Sequence, residues 1–151
     1  MPTKKQQILI KAPIEVCFDL ARNVDIHIET NSKTYEKAVG GVTKGFLEEG
    51  DSVTWEAVHF KIRQRLTAQV IKMRRPYEFV DVMVKGAFHS FTHTHQFIET
   101  ENGTLMVDVF QYKSPFGLLG RLADKVILER YMDEFIRTRG ISLKTIAEGL
   151  G

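Results

Sequence analysis

The feature that most constrains the fold is a series of short alternating segments between residues 33 and 112. Each segment is rich in β-branched and aromatic residues, and glycine pairs or the Glu-Glu-Gly-Asp stretch at 48–51 separate them. Runs of this kind are typical of β-strands. Because the connections are short, neighbouring strands are expected to be antiparallel, since a parallel pair needs a long crossover. The predicted strands cover 33–40, 52–60, 62–73, 77–85, 90–100 and 104–112.

The segments on either side of this series have a different character. Residues 4–11 predict a first strand, and Pro13 suits the first turn of a helix over 13–22, where its missing N–H costs nothing. Residues 24–29 predict a further helical turn. A long helical segment follows residue 117, and because its apolar residues fall on two sides it needs two contact surfaces. These residues are Leu118, Leu122 and Val126 on one side and Leu128, Met132, Phe135 and Ile146 on the other.

The order of elements predicts one α+β domain over residues 1–151, with helices on one face of an antiparallel sheet. A chain of 151 residues suits a single compact domain with a core of its own. Gly140 lies inside the last helical segment, where glycine is unfavourable. We therefore expect a bend or a close approach to a neighbouring element at this position.

Charge and composition exclude several classes of protein. The formal net charge is +2 and is spread along the chain, which argues against a nucleic-acid-binding protein with a basic stripe. Cys17 is the single cysteine, so no intrachain disulfide is expected, and its apolar setting predicts a buried thiol. No apolar run reaches the length of a membrane span and no leader pattern opens the chain. We expect a cytoplasmic protein with no integral membrane segment.

A hairpin centred on Asn102-Gly103 predicts which side chains share a face. Asn-Gly between two alternating runs is a strong hairpin signal. With these two residues as the turn, Phe97 lies opposite Asp108 and His95 lies opposite Phe110. Paired residues project from the same face of a sheet. That face then carries His93, His95, Phe97, Met106, Asp108, Phe110 and Tyr112.

We expect this mixed aromatic and polar face to point inward, because the long helix needs an apolar surface to cover. In this register Asp108 sits diagonally from His95, within reach of a charged hydrogen bond, and a buried carboxylate needs such a partner. Neighbouring strands add further residues to the same side of the sheet. These are Phe79, Asp81 and Met83 from one strand and Val53, Trp55, Ala57 and His59 from an earlier one.

The histidines allow three interpretations. His93 and His95 with Asp108 or Asp81 could supply three metal ligands, but the chain has no H-E-x-x-H motif and no second cysteine, so no metal or cofactor is predicted. A His–Asp pair could act as a general base, although no nucleophile motif such as G-x-S-x-G accompanies it. The third interpretation is that these side chains satisfy one another in the interior or line a cavity, and the pattern favours it.

Several segments together resemble a known superfamily. They are A-P-I-E-V-C-F-D-L-A-R after the first strand, R-P-Y-E-F-V-D at 75–81, F-x-x-F-x-H-x-H-x-F at 88–97, G-T-L-M-V-D at 103–108 and S-P-F-G-L-L-G-R-L-A-D at 114–124. In this order they resemble a bacterial branch of the START-like superfamily, also called SRPBCC, which includes polyketide cyclase/dehydrase, lipid-transport and birch-pollen-allergen proteins. The resemblance spans nearly the whole chain and is more specific for fold than for function.

The resemblance implies a helix-grip fold, in which a curved seven-stranded antiparallel sheet wraps around a long C-terminal helix and encloses an apolar cavity. It implies binding of a small hydrophobic molecule, lipid- or polyketide-like, without a nucleic-acid partner; whether the chain forms a homodimer is left open. Two alternatives are a cyclase or dehydratase that uses His95 and Asp108 as an acid/base pair, and an accessory module that binds another protein. The predicted ligand-binding residues are Trp55, His59, Phe79, Asp81, Met83, Phe91, His93, His95, Asp108, Phe110 and Tyr112, with leucine and methionine residues of the last helix closing the cavity.

Overall fold

Seven antiparallel strands form one sheet in a computed structural model, which describes residues 3–113 and 127–150. The spatial order of the strands is β1-β7-β6-β5-β4-β3-β2, so the first strand closes against the last. This arrangement confirms the predicted α+β architecture with a seven-stranded sheet. The strands are β1 (Thr3–Ile10), β2 (Lys37–Gly41), β3 (Ser52–His59), β4 (Ile62–Arg74), β5 (Glu78–Lys85), β6 (Ser90–Thr100) and β7 (Gly103–Lys113).

Two short helices connect β1 to β2, and one long helix follows β7. Helix α1 spans Ile14–Ala21, and α2 spans Val24–Thr30. Asn23 separates them, because its side chain accepts a hydrogen bond from the backbone N–H of Ile26 at 3.1 Å and so caps the start of α2. The third helix, α3, spans Glu129–Leu150. No helix in the described part of the chain is long and apolar enough to cross a membrane.

The beginning of β2 differs from the sequence prediction. A short 3-10 helix (Ser32–Thr34) occupies the start of the predicted strand 33–40, and β2 begins only at Lys37. Tyr35 adopts the left-handed conformation with φ of 55°, which interrupts an extended chain. The alternating pattern therefore predicts the strand correctly only from residue 37 onward.

The register of the β6–β7 hairpin also differs from the prediction. Thr100 pairs with Gly103, so the two-residue turn is Glu101-Asn102 rather than Asn102-Gly103. Neither turn residue has the positive φ that a type I′ turn requires; instead, the hydroxyl of Thr100 accepts from the N–H of Asn102 at 3.2 Å. The pairing shifts by two residues, which leaves every side chain on its predicted face. His95 consequently lies directly opposite Asp108, not diagonally from it.

The core divides into two clusters of buried side chains beneath α3. In the first, the ring of Phe18 from α1 meets Phe79 and Phe97 edge to face, each at a centroid distance of 5.4 Å. The second cluster, around Phe91, Phe110 and Met132, borders an open space. Burial of each such side chain stabilises the fold by about 1.5–3 kcal/mol, so the first cluster anchors α1 and one end of α3 on the sheet.

Gly140 marks the place where α3 approaches the sheet. A Cβ atom built at this residue would lie 3.8 Å from Cε of Met106 and 4.0 Å from Cγ2 of Ile8, which is ordinary van der Waals contact. The predicted close approach is present, and it leaves room for a methyl group. Three apolar residues predicted for one side of the last helix, Leu118, Leu122 and Val126, lie outside the described residues.

Candidate functional site

A cavity of about 520 Å³ lies between the sheet and α3. Its walls are mostly apolar and come from the inward faces of the strands, from the loop between β5 and β6, and from the first turns of α3. Representative wall residues are Ala57, Leu66, Phe88, Phe91, Met132 and Phe135. A smaller pocket of about 100 Å³ adjoins it and shares several of its wall residues, including Trp55 and His93. The second core cluster does not fill the sheet's concave side completely, and this space is the result.

The structure brings most of the predicted site residues to these two spaces. Trp55, His59, Asp81, Phe91, His93 and Phe110 line the larger cavity. Phe79 and His95 line the smaller pocket. Leu128 and Met132 close the larger cavity from the side of the last helix, where leucine and methionine residues were expected.

Three predicted residues do not line either space. Asp108 is buried behind the histidine rings, Tyr112 is buried completely in the second core cluster, and Met83 packs against that cluster. These residues can support the wall but do not reach the cavity in this arrangement. His89, which the sequence groups with the other two histidines, is exposed in the loop before β6.

A network of two imidazoles and two carboxylates forms the polar part of the wall. Nε2 of His95 lies 2.8 Å from Oδ1 of Asp81, and Nδ1 of His95 lies 3.2 Å from Oδ1 of Asp108. Nε2 of His93 lies 2.9 Å from that same oxygen of Asp108. The two imidazole rings stack at a centroid distance of 3.8 Å, and Phe79 stacks on the other side of His95 at 4.1 Å. Strand pairing fixes this arrangement, because β5, β6 and β7 place the four polar residues side by side.

The surroundings shift the pKa values of the two histidines in opposite directions. Burial alone would lower the pKa of His95, but hydrogen bonds to Asp108 and Asp81 raise it above its ordinary value. Burial and then the positive charge of His95 lower the pKa of His93. Burial opposes ionisation of Asp108, yet its hydrogen bonds to both rings hold the pKa of that carboxyl well below its usual range. Both ring nitrogens of His95 face carboxylate oxygens and only one of His93 does, so the arrangement favours a protonated His95 and a neutral His93 beside two carboxylates.

This protonation pattern bears on the acid/base hypothesis. Both ring nitrogens of His95 face carboxylate oxygens, at 2.8 and 3.2 Å, so neither is placed to accept a proton from a substrate. His93 uses Nε2 toward Asp108, and its other nitrogen has no hydrogen-bond partner among the described residues. His93 also lines the larger cavity. If the cavity supports proton transfer, the geometry places the base at His93, with Asp108 orienting its ring.

The same residues do not form a preorganised metal site. Potential ligand atoms of Asp81, His93 and His95 lie within 4.8 Å of one another. However, the planes of the two stacked imidazoles differ by only 25°. Imidazole lone pairs lie in the ring plane, so those of two nearly parallel rings cannot converge on one ion at the distances that zinc requires. As it stands, this cluster is a hydrogen-bonded network.

A second polar cluster, which the sequence did not indicate, lies nearby and joins α2, the residue before β2, and α3. Nε2 of His27 lies 2.7 Å from Oε1 of Glu36, and the His27 ring packs against Trp55 at a centroid distance of 4.0 Å. Burial raises the pKa of Glu36 to about 8 and lowers the pKa of His27 well below its ordinary value. The pair is therefore neutral at pH 7, with the proton on Glu36. Arg139 completes the cluster from α3, and its Nη2 donates to the carbonyl of Ala21 at 3.2 Å.

At the other end of the cavity a hydrogen bond links the sheet to α3. Nδ1 of His59 pairs with the hydroxyl of Tyr131, and Phe60 packs on the Tyr131 ring at a centroid distance of 4.5 Å. Phe60 is half exposed at the tip of the β3–β4 hairpin. These contacts hold α3 over the cavity at a distance from the first core cluster.

Solved structures share this architecture over nearly the whole chain. No protein-family profile and no curated protein matches the sequence. The crystal structure of TTHA0849 from Thermus thermophilus matches with a TM-score of 0.81 at 17% identity, covering 99% of each chain. Ginseng major latex-like protein 151 from Panax ginseng matches with a TM-score of 0.70 at 14% identity, covering 97% of each chain.

The crystal structure of Ara h 8.0201 also matches, with a TM-score of 0.60 at 11% identity, covering 94% of this chain and 97% of that one. Identities this low establish the fold and not the activity. The predicted architecture is confirmed, and the chain has the helix-grip fold that START-like and birch-pollen-allergen proteins share.

Proposed function

We propose that this protein binds a small hydrophobic molecule in the cavity between the sheet and α3. The observation that carries the proposal is the cavity itself, whose volume of about 520 Å³ falls in the range typical of small-molecule sites. Ligand sites combine apolar walls, which provide affinity, with a few polar groups that orient the ligand. Here the aromatic and aliphatic wall residues would provide the affinity, and the two polar clusters would orient the ligand.

The likeness to known folds supports the same proposal at a coarser level. Proteins of the birch-pollen-allergen fold commonly bind small ligands, and the chain matches two such structures over nearly its full length. The residues we propose to contact the ligand are those that line the two spaces: Trp55, His59, Phe79, Asp81, Phe91, His93, His95 and Phe110. Asp108 would affect the ligand indirectly, by orienting the rings of His93 and His95. Met83 and Tyr112 would support the cavity wall by packing behind it.

Filling the cavity with a larger side chain tests this proposal. Ala57 is buried on β3 and faces the cavity, whereas Val58 follows it on the same strand and faces the opposite side of the sheet. The probe is N-phenyl-1-naphthylamine, an uncharged aromatic molecule whose fluorescence rises in apolar surroundings. We expect wild type and Val58→Phe to bind one equivalent, and Ala57→Phe to bind at least about tenfold more weakly because its ring occupies the probe's space.

Both variants should retain the circular dichroism spectrum and cooperative melting of wild type. Equal probe binding by Ala57→Phe and wild type would show that the probe sits elsewhere and would remove the proposed function. Absence of binding by wild type to this probe and to aliphatic probes of similar size would also contradict it.

A further inference from the structure

Arg139 is a buried cation with no direct ion-pair partner among the described residues. Its side chain is about nine-tenths buried on the inner face of α3 and lines the smaller pocket. Its only hydrogen bond among the described residues runs from Nη2 to the carbonyl of Ala21, and Nε has no partner there. Removing a guanidinium from water is costly unless an opposite charge or a full set of hydrogen bonds replaces the solvent.

The nearby carboxyl groups form no direct ion pair with this guanidinium. Glu36 lies close enough to interact with Arg139 electrostatically, but it is protonated at pH 7 because burial raises its pKa to about 8. Asp81 forms its ion pair with His95, at 2.8 Å, and attracts Arg139 only over a longer distance. No carboxylate oxygen in the described parts of the chain comes within ion-pair distance of Arg139, since none of the ion pairs found there includes it.

A purely structural role accounts for only part of this arrangement. Ala21 is the last residue of α1, so the hydrogen bond from Arg139 satisfies one carbonyl at the negative end of that helix. A single carbonyl uses one of five guanidinium N–H groups. The remaining donors belong to a residue that lines a pocket, and that pocket opens beside the larger apolar cavity.

We propose that the ligand is an amphiphilic organic acid, whose carboxylate binds Arg139 in the smaller pocket while its hydrocarbon part occupies the larger cavity. This inference rests on the proposed function and specifies the ligand's chemical class. A carboxylate accepts two parallel hydrogen bonds from a guanidinium, which matches the unused donors of Arg139. His27 lines both spaces, and an imidazole carries no negative charge that would repel a carboxylate. Asp81 also faces both spaces, and its ion pair with His95, an imidazole that it shares with Asp108, reduces its repulsion of an acid.

The division of polar and apolar walls supports this orientation. Arg139, Asp81 and the two imidazoles of the first network line the smaller pocket. The far end of the larger cavity is bounded by Leu66, Phe88 and Leu128. Arg65 also lines the larger cavity but is already paired with Glu56, so we expect the charged end of a ligand to lie toward Arg139.

Paired ligands that differ only at the head group test the inference. Dodecanoate and dodecanol have the same chain length, and each is titrated as a competitor of N-phenyl-1-naphthylamine at pH 7.5. A hydrogen-bonded charge pair in a buried site should favour the acid by at least about tenfold in wild type. Arg139→Met retains the length of the side chain but removes its charge, so we expect the two affinities to become equal within about threefold while dodecanol binding persists.

Arg137→Met provides the matched control, because Arg137 is exposed on the same helix. This variant should retain the acid preference of wild type. A role for Arg139 limited to capping α1 would lower the melting temperature of Arg139→Met and leave the acid preference unchanged, and that result would overturn the inference. Equal binding of acid and alcohol by wild type would overturn it as well.

Wild-type protein alone gives a second measurement, which does not depend on whether Arg139→Met folds. With dodecanoate labelled by 13C at the carboxyl carbon, the bound acid should stay ionised to a lower pH than the free acid, since the guanidinium favours the carboxylate. A bound carboxyl that titrates at the same pH as the free acid, or higher, contradicts the assignment. If the neutral probe binds and Ala57→Phe blocks it while acid and alcohol bind equally, the head-group inference fails and the proposed function stands.

Discussion

His95 and Asp108 form a directly opposed cross-strand pair between β6 and β7, with Nδ1 of His95 3.2 Å from Oδ1 of Asp108. The same oxygen accepts from Nε2 of His93 at 2.9 Å. One carboxylate therefore fixes the orientation of two rings, and both rings belong to the wall of the ligand space. Asp108 does not face that space, so its effect on a ligand is indirect.

Loss of the Asp108 charge should destabilise the fold. Asp108→Asn retains the shape of the side chain but leaves the imidazolium of His95 with a weaker acceptor on one side. Breaking a buried charge pair costs about 3 kcal/mol, and we expect the free energy of unfolding measured by urea denaturation to fall by about that amount. Glu99→Gln changes an exposed carboxyl on the same hairpin and should have almost no effect. A loss below about 1 kcal/mol in Asp108→Asn would show that the network contributes little.

Ionisation of Glu36 should make the protein less stable as the pH rises. The pKa of Glu36 is about 8 in the folded protein, against an ordinary value of 4.5. As the pH rises from 4.5 to 8, the unfolded chain has already lost this proton while the folded protein keeps it, so the free energy of unfolding falls. His27, with a lowered pKa in the folded protein, has the opposite effect below its ordinary value of 6.5. The contribution of Glu36 should thus appear between pH 6.5 and 8, as a fall of about 2 kcal/mol in the free energy of unfolding.

Glu36→Gln has no such proton to lose and serves as the reference for this measurement. Urea denaturation of both proteins at pH values from 6.5 to 8 gives the difference in unfolding free energy directly. The difference in unfolding free energy between the two proteins should change as the pH rises, because only wild type has the Glu36 proton to lose. A constant difference across the range would show that Glu36 is already ionised at pH 6.5.

A methyl group at position 140 should stabilise the protein. Gly140 lies inside α3, where alanine is favoured over glycine by about 1 kcal/mol, and the nearest atoms to an added Cβ are 3.8 Å away. We expect Gly140→Ala to raise the free energy of unfolding by about 0.5–1 kcal/mol. Gly103→Ala is the contrasting variant, because Gly103 has φ of +134° and its Cβ would lie 2.2 Å from the carbonyl oxygen of Ile10.

Gly103→Ala should lower the unfolding free energy by more than about 1 kcal/mol. Thermal and urea denaturation of the two variants beside wild type measure both effects. Destabilisation by Gly140→Ala would indicate that α3 packs more tightly on Met106 and Ile8 than the structure shows.

Strand periodicity was sufficient to predict which side chains face inward, but not how the strands pair. The alternation along β6 and β7 identifies the face of His93, His95, Phe110 and Asp108, and an error of two residues in register preserves that face. The choice of turn depended on a contact between Thr100 and Asn102 and on the close approach of Gly103 to Ile10. Neither contact has a signal in the local pattern, so the directly opposed His95–Asp108 pair could not be deduced.

The cluster of His27, Glu36 and Arg139 was beyond sequence-based reasoning for a related reason. These residues come from α2, the turn before β2, and α3, and they meet only when the sheet curves around the helix. Glu36 lies in a stretch that looks like an ordinary exposed strand, and Arg139 lies among other charged positions of an amphipathic helix. Their burial follows from the tertiary arrangement, which overrides the usual preference of charged residues for solvent.

Magnetisation transfer between bound ligand and protein methyl groups tests the central claim most directly. In protein labelled with 13C at alanine and methionine methyls, saturated with dodecanoate, we predict intermolecular NOEs from the alkyl chain to Ala57, Ala68 and Met132, which line the space between the sheet and α3. NOEs confined to other alanine and methionine methyls, such as those of Ala38 and Met73, or the absence of intermolecular NOEs at saturation, would contradict the account.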